Sequence, residues 1–286
     1  INAGEYTVTV TGKGNYSGTA TATYTISPAA LTITGATLAS KTYDGTTNAT
    51  VESVTFDDLK GSDILTIGTD YTAEAKFTDK SAAESKTATV TVTLTNTVKN
   101  YTLASGGNTA TATGTISPLP VVLKWSTQTE FTYDGTEHFV TAQVTNLVVG
   151  DEITLTYEDY TGTAVSSYTA KVIWLSGIDA NNYTLDGATG TEQVWSIVGV
   201  PIADAKVTLD KNSFTYTGSE QKPEVTAVTL DGKALTANTD YTVTFGDNST
   251  DADTYTVTVT GTGNYSGTAT ATYTISPAAL TITGAT

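Results

Sequence analysis

An all-β chain is the fold the sequence predicts: a tandem array of Ig-like antiparallel β-sandwich domains laid end to end as a rod. Three observations predict it. Nearly every stretch alternates with period two, the signature of a strand with one buried face. In 255–260, Tyr255, Val257 and Val259 share one face and Thr256, Thr258 and Thr260 the other, and KTATVTVTL (86–94) repeats the pattern. No stretch of useful length carries a 3.6-residue apolar period. The chain also repeats itself, and repetition at a fixed offset marks a modular array.

The repetition has two scales. Residues 3–37 and 252–286 differ only at Gly4/Asp253, Glu5/Thr254 and Lys13/Thr262, at an offset of 249 residues. So close an identity reads as a recent tandem duplication, and predicts a parent array with a 249-residue period. Inside that period lie three diverged blocks that open LTITGATLASKTYDGT (31–46), VVLKWSTQTEFTYDGT (121–136) and AKVTLDKNSFTYTGS (205–219). Each closes on an Asn-Tyr pair, in KNYTL (99–103), NNYTL (181–185) and GNYSG (263–267). The mean unit is 83 residues, and Pro28, Pro118, Pro120, Pro201 and Pro277 sit at the joints. Proline has no N–H to give a sheet, so it belongs where strands end. The joints are short and not Gly/Ser-rich, which predicts a semi-rigid array.

Taken in order, residues 1–27 read as the closing strands of one repeat. Residues 28–117, 118–200 and 201–277 read as three β domains, and 278–286 as the first strand of the next. Thr-outward, Val/Tyr/Ile-inward strands suit a half-buried pleat. Turns every 8–12 residues are expected of a sandwich. Asp-Gly at 44–45 and 134–135 accepts the left-handed backbone of a tight turn. The tyrosines of the Asn-Tyr pairs (Tyr16, Tyr101, Tyr183, Tyr265) are expected to plug sandwich ends, their hydroxyls reaching water or backbone. A hairpin alone is marginal in water, so the strands of 1–27 are expected to need covering by another chain or copy.

Composition narrows the function classes. The 286 residues include 66 Thr, no Cys and no Met, and the formal net charge is −16. Without Cys there is no disulfide framework, thiol nucleophile or Cys-ligated zinc. Without Arg, and with this acidic balance, nucleic acid and anionic membranes are not expected partners. No apolar run reaches the roughly 18 residues of a spanning helix. The first ten residues have neither the basic start nor the apolar stretch of a signal peptide.

Tyr-Asp-Gly-Thr after a leading strand, Asp-Tyr-Thr at 70–72 and 240–242, and Gly-Asn-Tyr-Ser-Gly before a strand ending Thr-Ile-Ser-Pro form a set. It resembles the YDG and MBG families of repeat domains found in long bacterial surface proteins. Residues 29–117 resemble the YDG type, 202–277 and the half-domain 1–27 the MBG type, and 119–199 a diverged relative. The resemblance implies a large, repetitive, adhesive surface protein and no chemistry.

Reactive residues are sparse. The single histidine, His138, has no nucleophile motif to serve, and no enzyme is expected. The carboxylate pairs Asp57-Asp58 and Asp151-Glu152 lie in turn-like segments and read as solvated loops. Calcium is the one ion the acidic turns could suit. Asp247, Asp251 and Asp253 in GDNSTDAD supply hard oxygens near a joint, as do Asp57, Asp58 and Asp63, although neither run matches an EF-hand. Plain acidic turns are the simpler alternative.

The middle domain departs from the pattern, holding Trp125, Trp174 and Trp195. In SYTAKVIWL (167–175), Tyr168, Ala170, Val172 and Trp174 align inward, leaving Ile173 and Leu175 outward where other domains place threonine. Ile173, Leu175 and Trp125 are therefore the candidate contact residues, unless a bulge flips the register. The function expected is a stalk or fibre segment of a repetitive bacterial extracellular adhesin, assembled head-to-tail if subunits exchange strands. Its partners would be neighbouring repeats or identical chains, with a host glycan or protein beyond them. The alternative is a carbohydrate- or protein-binding module that reads through the Trp-rich middle domain.

Overall fold

A computed structural model describes residues 1–246 and 248–281. It is all-β: among the described residues the one helical element is a three-residue 3-10 turn, Ala180–Asn182. The chain forms two compact units. One comprises Ile1–Val122, Val144–Thr154 and Leu175–Thr189, the other Leu123–Gln143, Leu155–Trp174 and Gly190–Thr286.

The first unit opens with a two-stranded antiparallel hairpin, Gly4–Thr11 against Thr19–Ile26, with Val8 facing Ala22 and Val10 facing Ala20. Tyr6 and Tyr24 stack at 5.6 Å. Next come two sheets in a sandwich-like arrangement. One has five strands in the order Lys41–Thr42, Thr109–Ser117, Ala83–Leu94, Tyr71–Phe77, Asn48–Ala49. The other has Val51–Asp57, Ala29–Leu38 and Tyr101–Leu103. Between them Ile33, Val51, Tyr71, Ala75, Val90, Val92 and Ala112 form the core. The alternation in 86–94 is obeyed: Ala88, Val90 and Val92 are buried and the intervening threonines are exposed. Lys86 lies on the same buried face. Its ammonium reaches the carboxylate of Asp79 and pulls the Asp79 pKa down to about 2.

In the second unit, Glu130–Thr132, Glu192–Val198, Ser166–Ser176 and Thr154–Glu158 contribute to one four-stranded sheet. Trp195 is buried there, its ring 4.5 Å from Tyr168 and its Nε1 donating to Asp159 O at 3.1 Å. Residues 202–276 build another sandwich-like pair. Ser213–Thr215, Thr268–Ser276, Thr254–Gly261 and Tyr241–Phe245 form one sheet. Lys206–Leu209, Val225–Leu230 and Lys233–Ala234 form the other. The core includes Ile202, Val228, Leu235, Tyr241, Val259 and Ala269.

The sheets are mixed, which corrects the expectation of antiparallel sandwiches. Ile116 pairs in parallel with Lys41, Phe131 with Ile197, Phe214 with Ile275, and Ala29 with Tyr101. Period-two alternation reports which face is buried and is silent on partner direction. A strand early in each block runs alongside a late one in the same sense, and only long crossovers allow that.

The expected first strand at 278–286 is not seen in its described part: 277–281 carries no strand, and 282–286 lies outside the described residues.

Candidate functional site

The most developed polar cluster lies in the first unit, around Asp151. Tyr43 enters on the strand Lys41–Thr42, and its N–H donates to Ser117 O at 2.8 Å. The turn after it is held by Asp44 Oδ1, which accepts from Thr46 N at 2.9 Å. Gly45 closes the turn at φ +76°, and a Cβ there would meet Val148 Cγ1 at 2.5 Å. Lys80 comes from the turn between Tyr71–Phe77 and Ala83–Leu94. Asp151 follows Gly150, and its N–H donates to Val148 O at 3.0 Å. Tyr183 follows the 3-10 turn.

These side chains converge. Tyr43 Oη donates to Asp151 Oδ2 at 2.6 Å, and Tyr183 Oη donates to the same oxygen at 2.9 Å. Lys80 Nζ donates to Asp151 Oδ1 at 2.6 Å and lies 5.8 Å from the centre of the Tyr43 ring. The two tyrosine rings meet edge to face at 5.6 Å. Val148 N donates to Tyr183 Oη, and Ala82 N to Asn182 Oδ1, both at 2.9 Å. Asp151 is only 5% exposed.

Burial acts to raise the Asp151 pKa, but the hydrogen bonds from Lys80, Tyr43 and Tyr183 outweigh it and hold the carboxyl below its usual range. Lys80 is pushed up, chiefly by its hydrogen bond to Asp151. Burial, with the carboxylate beside it, pushes the Tyr183 phenol up to about 12, and Tyr43 moves in the same direction. The carboxylate oxygens are thus engaged by two phenols and an ammonium. Amide formation between Lys80 and Asp151 would need a neutral amine and a protonated acid, and the cluster favours the opposite state of each. Its chemical capacity is to fasten. It ties the Tyr-Asp-Gly turn of one block to the 148–151 loop and Asn-Tyr pair of the next.

The motif recurs. Tyr101 Oη accepts from Lys60 N at 2.9 Å and donates to Asp63 Oδ2 at 2.6 Å. Loop donor and carboxylate are three residues apart in both cases, Lys60/Asp63 and Val148/Asp151. In the third block Lys233 Nζ donates to Tyr265 Oη at 2.9 Å, so a cation stands where the others hold a carboxylate.

Asp151 is thus not the solvated loop residue the sequence suggested. Nothing local marks its burial, because its partner Tyr43 lies 108 residues away. The three-residue spacing that recurs at 60–63 and 148–151, ahead of two of the Asn-Tyr pairs, was the available signal. Tyr101, Tyr183 and Tyr265 are buried as expected, whereas Tyr16 is exposed.

The remaining candidates scatter. Asp247 lies outside the described residues. Asp251 presents its backbone carbonyl to Tyr255 Oη at 3.0 Å, and Asp253 Oδ1 accepts from Thr254 N at 2.7 Å. Asp57 Oδ1 accepts from Asp58 N, and Asp63 serves Tyr101. Among the described residues no three acidic or histidine side chains come together as metal ligands. His138 stacks on Phe131 at 4.7 Å, with Nε2 3.1 Å from Asp134 Oδ1.

Two expectations for the middle domain, the contact candidate Trp125 and the inward Trp174, are corrected. Trp125 is only 9% exposed, its Nε1 donating to Gly190 O at 2.7 Å, so it is a core residue. Trp174, read as inward, is 66% exposed, next to exposed Ile173, while Leu175 is half-buried. The alternation fails after Val172. Pairing of this strand with Glu192–Val198 ends at Lys171↔Glu192, and Ile173 and Trp174 beyond it are both exposed.

Fold and site together define an all-β protein of sandwich-like sheets in which one buried carboxylate, Asp151, fastens two successive blocks. Residues 27–112 match the family model described as the YDG domain, so a YDG domain is present there. No curated protein matches the chain. Among solved structures, the crystal structure of Drosophila N-cadherin EC1-4 is similar at 10% identity over 95% of this chain and 83% of that one, with a TM-score of 0.20. That score is too low to bear on fold or function.

Proposed function

We propose that the chain is a stalk or fibre segment of a repetitive bacterial extracellular adhesin, an array of Ig-like modules in which Tyr–Asp–Tyr contacts stiffen the joints. The observation that carries this reading is the Asp151 cluster. It spends a buried charge on fastening one block to the next, and leaves no carboxylate oxygen for a substrate. The near-identity of 3–37 and 252–286 supports a longer array of the same period. An acidic, Thr-rich surface suits an extended, soluble extracellular chain. Neighbouring repeats or identical chains are its first partners. Small-angle scattering tests the reading: at about 3.3 Å per strand residue, one period should measure on the order of 100 Å along a rod. A globular profile would overturn it.

The exposed Trp174 beside Ile173 favours a second reading, a carbohydrate- or protein-binding module. Binding to a glycan array that is lost in Trp174→Ala would support it, and an array with no binding would remove it.

A further inference from the structure

The hairpin 4–26 and the strands of 254–276 have nearly the same sequence but opposite environments. Val10 is 65% exposed, and its counterpart Val259 is 0% exposed. Tyr24 is exposed, and its counterpart Tyr273 is buried. The third block buries these residues with its own 202–246. There Tyr241–Phe245 pairs antiparallel with Thr254–Gly261, and Ser213–Thr215 pairs in parallel with Thr268–Ser276. Both corresponding edges of the hairpin carry no such strand among the described residues.

A second feature lies at the exit of the hairpin. A cavity of about 240 Å³ is lined by Ile26, Ser27, Lys60, Asp63 and Tyr101 among others. Lys60 N, Asp63 and Tyr101 Oη repeat the arrangement of Val148 N, Asp151 and Tyr183 Oη. At Asp151 the remaining place is filled by Tyr43, whose backbone N–H donates to Ser117 O, four residues after Thr113 on the closing strand. At Asp63 that place is open, and the carboxylate is exposed where Asp151 is buried. The third block ends in the complementary part. Tyr216 N donates to Ser276 O, as Tyr43 N does to Ser117 O, yet the Tyr216 ring is 41% exposed. Ser27 is the counterpart of Ser276 and lines the cavity.

We infer that the hairpin 4–26 and the Asp63–Tyr101 cavity together form a docking site for a segment with the sequence of residues 202–246, supplied by another 249-residue repeat, whose Tyr216 ring enters the cavity and hydrogen-bonds Asp63. The strand bearing Phe214 would run parallel to Thr19–Ile26, and the strand Tyr241–Phe245 antiparallel to Gly4–Thr11. The inference deepens the stalk reading, and rests on it for the source of the segment.

The test extends the full chain by fusing a second copy of residues 202–249 ahead of Ile1, and follows amide exchange by mass spectrometry. Amides of 4–26 are expected to slow about a hundredfold, toward the rates of 254–276. Tyr216→Phe in the added copy should speed exchange at Lys60–Asp63 about tenfold, the loss of one hydrogen bond to a charged group. The same change in the original copy should leave those amides unmoved. Unchanged exchange in 4–26 would overturn the docking. Slowed exchange there, with Tyr216→Phe in the added copy having no effect at Lys60–Asp63, would overturn the tyrosine socket. Either failure is separate from the rod dimension on which the stalk reading stands.

Discussion

Replacing Asp151 with alanine removes the acceptor of two tyrosine hydroxyls and one ammonium. Each hydrogen bond to a charged group contributes about 1.5–3 kcal/mol. Lys80 is left out of that sum, because its side chain is 41% exposed and water screens the pair. Tyr183 Oη keeps the Val148 N–H, so Tyr43 Oη is the hydroxyl most affected, losing the acceptor of its proton. Removing a buried carboxylate also relieves its desolvation, which offsets part of the loss. A net destabilisation of about 3 kcal/mol follows. Urea denaturation followed by circular dichroism should show it, and amide exchange should place it at 43–46, 80–82, 148–151 and 182–184. Tyr43→Phe should cost about 1.5 kcal/mol, and the double variant less than the sum of the two. The pH dependence has a fixed sign. The folded Asp151 pKa lies below its unfolded value, so its contribution is complete above about pH 4 and is lost as pH falls through the folded pKa. Asp151→Ala should lack this acid limb. A loss below about 0.5 kcal/mol, the size of an ordinary surface change, would refute the reasoning.

Gly45→Ala combines a left-handed backbone at φ +76° with the Val148 clash and should cost about 1–3 kcal/mol; Gly135→Ala, at φ +81° with only an ordinary contact to Tyr133 Oη at 4.0 Å, should cost nearer 1 kcal/mol in the same urea assay. Raising the pH should destabilise the Asp151 cluster. Tyr183's folded pKa of about 12 exceeds the unfolded value near 10, so its stabilisation is whole below pH 10 and lost as pH climbs toward 12, read from local amide exchange against Tyr183→Phe. Trp125→Ala should cost about 3–5 kcal/mol as a core truncation, and Trp174→Ala less than about 0.5 kcal/mol, compared by thermal unfolding.

The alternation of threonine with Val, Ala and Tyr identified the buried faces of 86–94 and 254–276, because a strand's side chains alternate whatever it pairs with. The Tyr-Asp-Gly turns were equally legible, since only glycine sits easily at φ +76° to +81°. Strand direction was not legible: parallel and antiparallel neighbours place the same alternation on the same face. Nor was the Asp151 site, whose parts come from residues near 43, 80, 151 and 183 and whose burial is a property of their meeting. Trp174 was misassigned because alternation says which residues share a face, and not whether that face is covered. The hairpin states the division most directly. Two stretches of nearly one sequence form the same pair of strands, since local pattern suffices for that. One is core and the other surface, because burial is conferred by what packs against a strand and is not contained in it.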